Sequence, residues 1–151
     1  MATLKVTHTE DITINGQQHG SVSEKSIADI VDVYKRTVTC TASQTTTIAV
    51  FGDTVHSAAC AVDEDSVKYI RITNLDASNS VELAVVGDAT LYQVTLAAEE
   101  SHVLGASAAL MLAEADTSPS FGTMADIASL QVNPGSNAVK IEVFIASATP
   151  A

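Results

Sequence analysis

The chain has 151 residues, of which 46% are hydrophobic, 17% charged and 4% aromatic. Its length fits one domain able to bury its own core, and its apolar content excludes intrinsic disorder. Seven Lys and Arg against 18 Asp and Glu leave a formal net charge of −11, which argues against phosphate backbones and anionic lipid surfaces as partners.

With no Trp in the chain, the core has to be built from Val, Ile, Leu and Ala. Residues 1–5 lack the apolar centre of a signal peptide, and no run approaches the ~20 apolar residues of a membrane span. A soluble protein with no cofactor is expected.

In chain order, residues 4–9 and 11–14 read as a pair of strands, the second closed by Asn15-Gly16, a strong hairpin signal. Residues 1–22 can be read as an N-terminal arm or added hairpin. Residues 23–34 carry Ile27, Ile30, Val31 and Tyr34 at helical spacing. Because these are β-branched or aromatic and lead into a Thr- and Val-rich run, an extended strand is expected there. Residues 35–41 and 45–51 follow as further strands.

Residues 67–73 alternate, with Val67, Tyr69, Arg71 and Thr73 on one face and Lys68, Ile70 and Ile72 on the other. Turn formers at 74–80 lead to a second alternating run at 81–86, and the two are read as a hairpin. Strands at 91–96 and 101–104 come next, joined by Ala97-Ala98-Glu99-Glu100. Residues 97–115 are rich in helix formers, but Gly105 favours strand plus irregular loop. Residues 116–120 are a loop. Strands at 127–132 and 139–146 flank Asn133-Pro134-Gly135-Ser136-Asn137, where Pro presets φ and Gly tolerates a positive one. About eight to ten short strands with little or no helix predict an all-β chain, a single antiparallel β-sandwich of jelly-roll type.

No catalytic motif stands out. His8, His19, His56 and His102 are scattered, no Gly-x-Ser-x-Gly elbow occurs, and no pair of His or Cys has zinc-ligand spacing. His102 is expected at a strand edge, touching the preceding carboxylates. Asp63-Glu64-Asp65, helped by Asp53 or Asp76, contains enough oxygens for calcium. It lacks the Gly and terminal Glu of an EF-hand loop, so a solvated acidic turn is the plainer reading. The seven glycines are dispersed singly, which gives no phosphate cradle, and Lys35-Arg36 is the only adjacent basic pair. Cys40 and Cys60 are read as buried thiols.

The alternation at 139–146 places Val139, Ile141, Val143 and Ile145 on one face, with Phe144 and Ala146 on the other. Apolar residues on both faces imply burial on both sides, either inside the monomer or against another subunit.

Residues 68–83, with Ile72-Thr73-Asn74-Leu75-Asp76 at their centre, resemble a segment recurring in small structural proteins of tailed bacteriophages. Residues 96–104 are similar to the Leu-x-x-Gly-Glu-Ser turn of that family, except that Glu99 stands where Gly is usual. The stretch from Leu130 to Ser136, running into residues 141–146, also resembles it. The resemblance implies a β-sandwich virion component with no catalytic residues. The expected role is a capsid decoration (cement) protein on the capsid exterior, bound to the major capsid protein and assembled as a homo-oligomer, dimer or trimer. A neck, tail or fibre part is the neighbouring role. A carbohydrate-binding module is the competing class, disfavoured by the few aromatics. Leu4, Val6, Ile12 and Ile14 are the expected interface residues, on an arm that adds a strand to a neighbour.

Overall fold

Alternating β-branched and polar residues produce strands along nearly the whole of the described chain. The computed structural model describes residues 1–53, 61–87, 91–105 and 126–148. In order these hold β1 (Ala2–Thr9), β2 (Thr13–Ile14), β3 (Gln17–Gln18), β4 (Val22–Cys40), β5 (Thr46–Gly52), β6 (Ala61–Asp63), β7 (Val67–Asn74), β8 (Val81–Gly87), β9 (Leu91–Leu96), β10 (Ser101–Leu104), β11 (Ile127–Asn133) and β12 (Val139–Ala148). Among the described residues there is no helix. The loop at 116–120 and the helix-prone stretch beyond Gly105 lie outside them.

Two five-stranded sheets form a β-sandwich. The first has the order β1-β4-β12-β7-β10 and the second β6-β5-β11-β8-β9. The pairings are antiparallel except β5 with β6, which is parallel. Between the sheets, Ile70, Ile72, Ile141, Val143 and Ile145 meet Ile48, Leu83, Val85, Leu130 and Val132. Each such side chain taken fully out of water contributes roughly 1.5–3 kcal/mol.

Several expectations about pairing are corrected. The strands at 67–73 and 81–86 do not form a hairpin: β7 belongs to the first sheet and β8 to the second. The turn at 74–80 arches between the sheets, and those at 97–100 and 133–138 do the same. Turn chemistry reverses the chain in either case, and burial of Ile70 and Leu83 from opposite sides selects the arch. The strands are not all short, because residues 23–34 and 35–41 fuse into the 19-residue β4. Nor do residues 4–9 pair with 11–14. Instead β1 runs along β4, with Leu4 opposite Ile27 and Thr9 opposite Val22.

This β1–β4 hairpin ends in the small β2–β3 ladder. Asn15 and Gly16, at φ 52° and 78°, form the two-residue turn between them. Both central residues have positive φ, as a turn matched to strand twist requires. At the neck, a Cβ on Gly20 would run into the Glu10 carbonyl, so this position has no room for a side chain. The hairpin also decides how the second face of β12 is covered. Leu4, Val6 and Ile27 pack with Ile30, Tyr69, Phe144 and Ala146 in a satellite cluster, so the monomer covers that face itself.

Candidate functional site

The two segments that carry the family resemblance, though split between sheets, meet at one end of the sandwich. Their centre is Asn74, whose side chain is fully buried. Its amide donates to the carbonyls of Asn79 (2.8 Å), Ala97 (3.0 Å) and Leu96 (3.3 Å), while its Oδ1 accepts from Asp76 N–H at 3.0 Å. Its own N–H donates to Glu100 O at 2.9 Å, and Glu99 N–H donates to Asp76 O at 3.1 Å. The Asp76 carboxylate accepts from Asn79 N–H (2.7 Å), Ser78 N–H (2.9 Å) and the Asn79 amide (3.0 Å). The Asn79 and Ser78 backbone bonds hold its pKa below the usual carboxylate value. Asp76 therefore braces a turn. Glu100 closes the second turn by accepting from Ala97 N–H at 2.7 Å. Asn137 joins the third arch to the first with a bond to Asn79 Oδ1 at 3.0 Å. Glu99 has φ +63°, a left-handed conformation that Gly adopts freely and other residues rarely do.

A second feature is a groove of about 590 Å³ under the N-terminal hairpin, between Leu4, Val6 and His8 on one wall and Tyr69, Arg71 and Phe144 on the other. Both outermost strands of the first sheet, β1 and β10, line it. Arg71 donates to Glu142 at 2.6 Å and lies 5.9 Å from the Phe144 ring centre. The bond from Arg71, with help from Lys35 at 3.5 Å, holds the Glu142 carboxyl below its usual pKa. Tyr69 meets Phe144 edge-on at 6.1 Å. Polar and apolar side chains both line the groove, and its arginine is already paired.

The expected interface residues divide into two pairs. Leu4 and Val6 turn inward into the satellite cluster. Ile12 and Ile14 lie at the hairpin tip, each 50% exposed.

The acidic run is gathered around Glu64. Burial, a hydrogen bond with Asp53 and the charges of Asp126, Asp53 and Asp65 push its carboxyl up to about 7. Among the described residues, no group of three His, Cys, Asp or Glu is arranged to hold a metal ion.

The described histidines lie apart: His8 on β1, His19 in the hairpin and His102 on β10. His56 falls outside the described residues. His102 Nε2 hydrogen-bonds the Tyr92 hydroxyl at 3.0 Å, linking the two sheets, with the rings edge-on. Burial lowers the His102 pKa, and the Glu100 charge opposes this. Cys40 is buried, and burial raises its thiol pKa. Cys60 lies outside the described residues.

Sequence reasoning did not single out Asn74 or the Tyr92–His102 contact. Their partners lie on other strands and leave no local spacing signal. In the sequence Glu99 stands out as a departure from Gly, Asp76 only as a possible calcium oxygen and His102 only as a strand-edge residue.

No family model matches the chain, and no curated protein matches it. A solved structure of Bacillus endospore appendages, described as a novel family of disulfide-linked pili, is similar at a TM-score of 0.42 and 9% identity, over 76% of this chain and 85% of that one. A likeness of that degree assigns this chain no role.

Proposed function

We propose that this chain is a non-enzymatic structural component of a tailed-phage particle, a decoration (cement) protein on the capsid exterior. The observation that supports this reading is the Asn74 unit. Residues 68–83 and 96–104, which resemble the phage proteins, form one hydrogen-bonded assembly and not two unrelated turns. The N-terminal hairpin carries Ile12 and Ile14, each half exposed, at a tip where a neighbour can reach them. Cementing needs many weak contacts that add across a symmetric shell, and a short apolar tip repeated at every site is such a contact. A net charge of −11 keeps an outward-facing coat soluble and away from packaged DNA.

Co-sedimentation with purified shells lacking the chain tests this role. The full chain should pellet with the shells, and Ile12→Asp with Ile14→Asp should weaken binding at least tenfold, by order of magnitude, while leaving the thermal transition in place. Failure of the wild-type chain to bind shells would sink the proposal. Binding only to tails would move the chain to a tail or neck position.

A further inference from the structure

We propose that the open edge of β4 over residues 31–37 docks the same segment of a second copy of this chain, antiparallel about a two-fold axis at Tyr34. This inference is independent of the cement role and requires no shell.

The edge is open because β4 is covered unequally. On one side β12 pairs with it from Ile30 to Cys40. On the other, β1 covers only Val22 to Ile30, ending with Ala2 opposite Ile30. No described residue pairs with 31–40 on that side. A strand edge of this length is a template for another strand, far longer than the four-residue edge at β10.

Hydrogen-bond parity fixes which groups point outward. Leu75 N–H donates to Lys140 O, and Asn74 N–H donates to Glu100 O. Even-numbered residues of β12 therefore turn toward β7, and Val143 and Ile145 turn toward Arg36 and Tyr34. The outward N–H and C=O groups of β4 belong to Val33, Lys35 and Thr37. Val33 agrees, since its N–H takes the neighbouring Asp32 carboxylate at 2.8 Å in place of a strand.

An antiparallel two-fold pairing must set outward residues against outward residues. Every register centred on a residue of the open edge satisfies this. Those centred on Thr37 or Val38 leave Asp32 outside the paired segment, so Val33, Tyr34, Lys35 and Arg36 remain to be compared. The Lys35 and Arg36 centres place like charges face to face, and the Val33 centre places Asp32 against Tyr34. Only the Tyr34 centre sets Asp32 directly opposite Arg36 of the second copy, and does so twice. Among the described residues neither enters an ion pair within its own chain, and Arg36 lies over the Tyr34 ring at 5.2 Å from its centre. In the same register the regular ladder ends with Asp32 opposite Arg36, and Val31, the extra residue where the β12 ladder shifts register, lies beside Thr37 just before Ala2 occupies the edge at Ile30. The pairing covers Val31 and Val33, which are 55% and 46% exposed in the monomer. The Asp32 carboxylate that guards the edge in the single chain becomes the partner of Arg36 when the edge is filled.

The test is sedimentation equilibrium of the full chain in reducing buffer, across micromolar to submillimolar concentration. Wild type should dimerise. Asp32→Arg and Arg36→Asp should each weaken the dimer by about tenfold or more, and the double exchange should restore it. Circular dichroism of each variant checks that the fold persists. A wild-type chain that stays monomeric throughout would overturn the proposal, as would a dimer indifferent to both single exchanges. Neither outcome bears on shell binding.

Discussion

Replacing Asn74 is the sharpest perturbation of the unit on which the functional reading rests. Asn74→Ala removes two strong donated bonds, at 2.8 and 3.0 Å, a weaker third at 3.3 Å, and the acceptor of Asp76 N–H. Each satisfied bond contributes about 1 kcal/mol net, and groups left buried without partners cost more. The loss should come to about 3 kcal/mol, which for a chain of this size lowers Tm by roughly 6–12 °C. Asn74→Asp separates packing from hydrogen bonding, since it keeps the shape and replaces the donor with an oxygen facing carbonyls. The introduced carboxyl is then favoured in its protonated form in the fold, so its folded pKa lies above its unfolded one. Its destabilisation should therefore be full at pH 7 and shrink as pH falls through the raised pKa. Urea unfolding at several pH values reads both variants. A cost below about 1 kcal/mol for Asn74→Ala, or a pH-independent cost for Asn74→Asp, would refute the reasoning.

Glu99→Gly relieves a left-handed β-carbon that costs roughly 1–2 kcal/mol, against roughly 0.5–1 kcal/mol of added unfolded-state freedom. It should stabilise slightly in urea, whereas Glu99→Ala, which keeps the β-carbon, should not; equal gains would exclude strain as the cause. His102 is held neutral by burial, so its folded pKa lies below the ordinary 6.5. Its contribution is present above that pH and is lost as pH falls through the folded pKa, and His102→Gln should flatten the acid side of a Tm–pH profile. Glu64, pushed up to about 7, behaves oppositely. Stability tied to its protonated form is present below the ordinary 4.5 and is lost as pH rises through about 7, so Glu64→Gln should gain relative stability at mildly alkaline pH. A profile unchanged by that substitution would contradict the clustering of carboxylates around it.

Alternation carried most of the strands, and Asn15-Gly16 carried the hairpin tip. The pairing of strands was not legible, for a physical reason. Asx and Gly turns report that the chain reverses, but an arch between sheets and a hairpin within one sheet use the same chemistry. The helical spacing of Ile27, Ile30 and Tyr34 has a structural origin. Asp29 adopts φ +60°, and the ladder with β12 shifts register beside Val31. Ile27 and Ile30 therefore share the satellite cluster, while Tyr34 turns to the main core. Irregularities in a strand imitate a helical period because each one flips the alternation. At the turn unit, the substitution of Glu99 for Gly was visible from the start. The burial of Asn74 was not, since its partners at 79, 96 and 97 are brought to it only by the fold.

The proposed capsid role is tested most directly by quantitative protein analysis and electron microscopy of virus particles purified from the source of this chain. The account predicts the chain on the outer shell, in a copy number that is a simple multiple of the shell's symmetry sites. Particles that carry none of it would contradict the account.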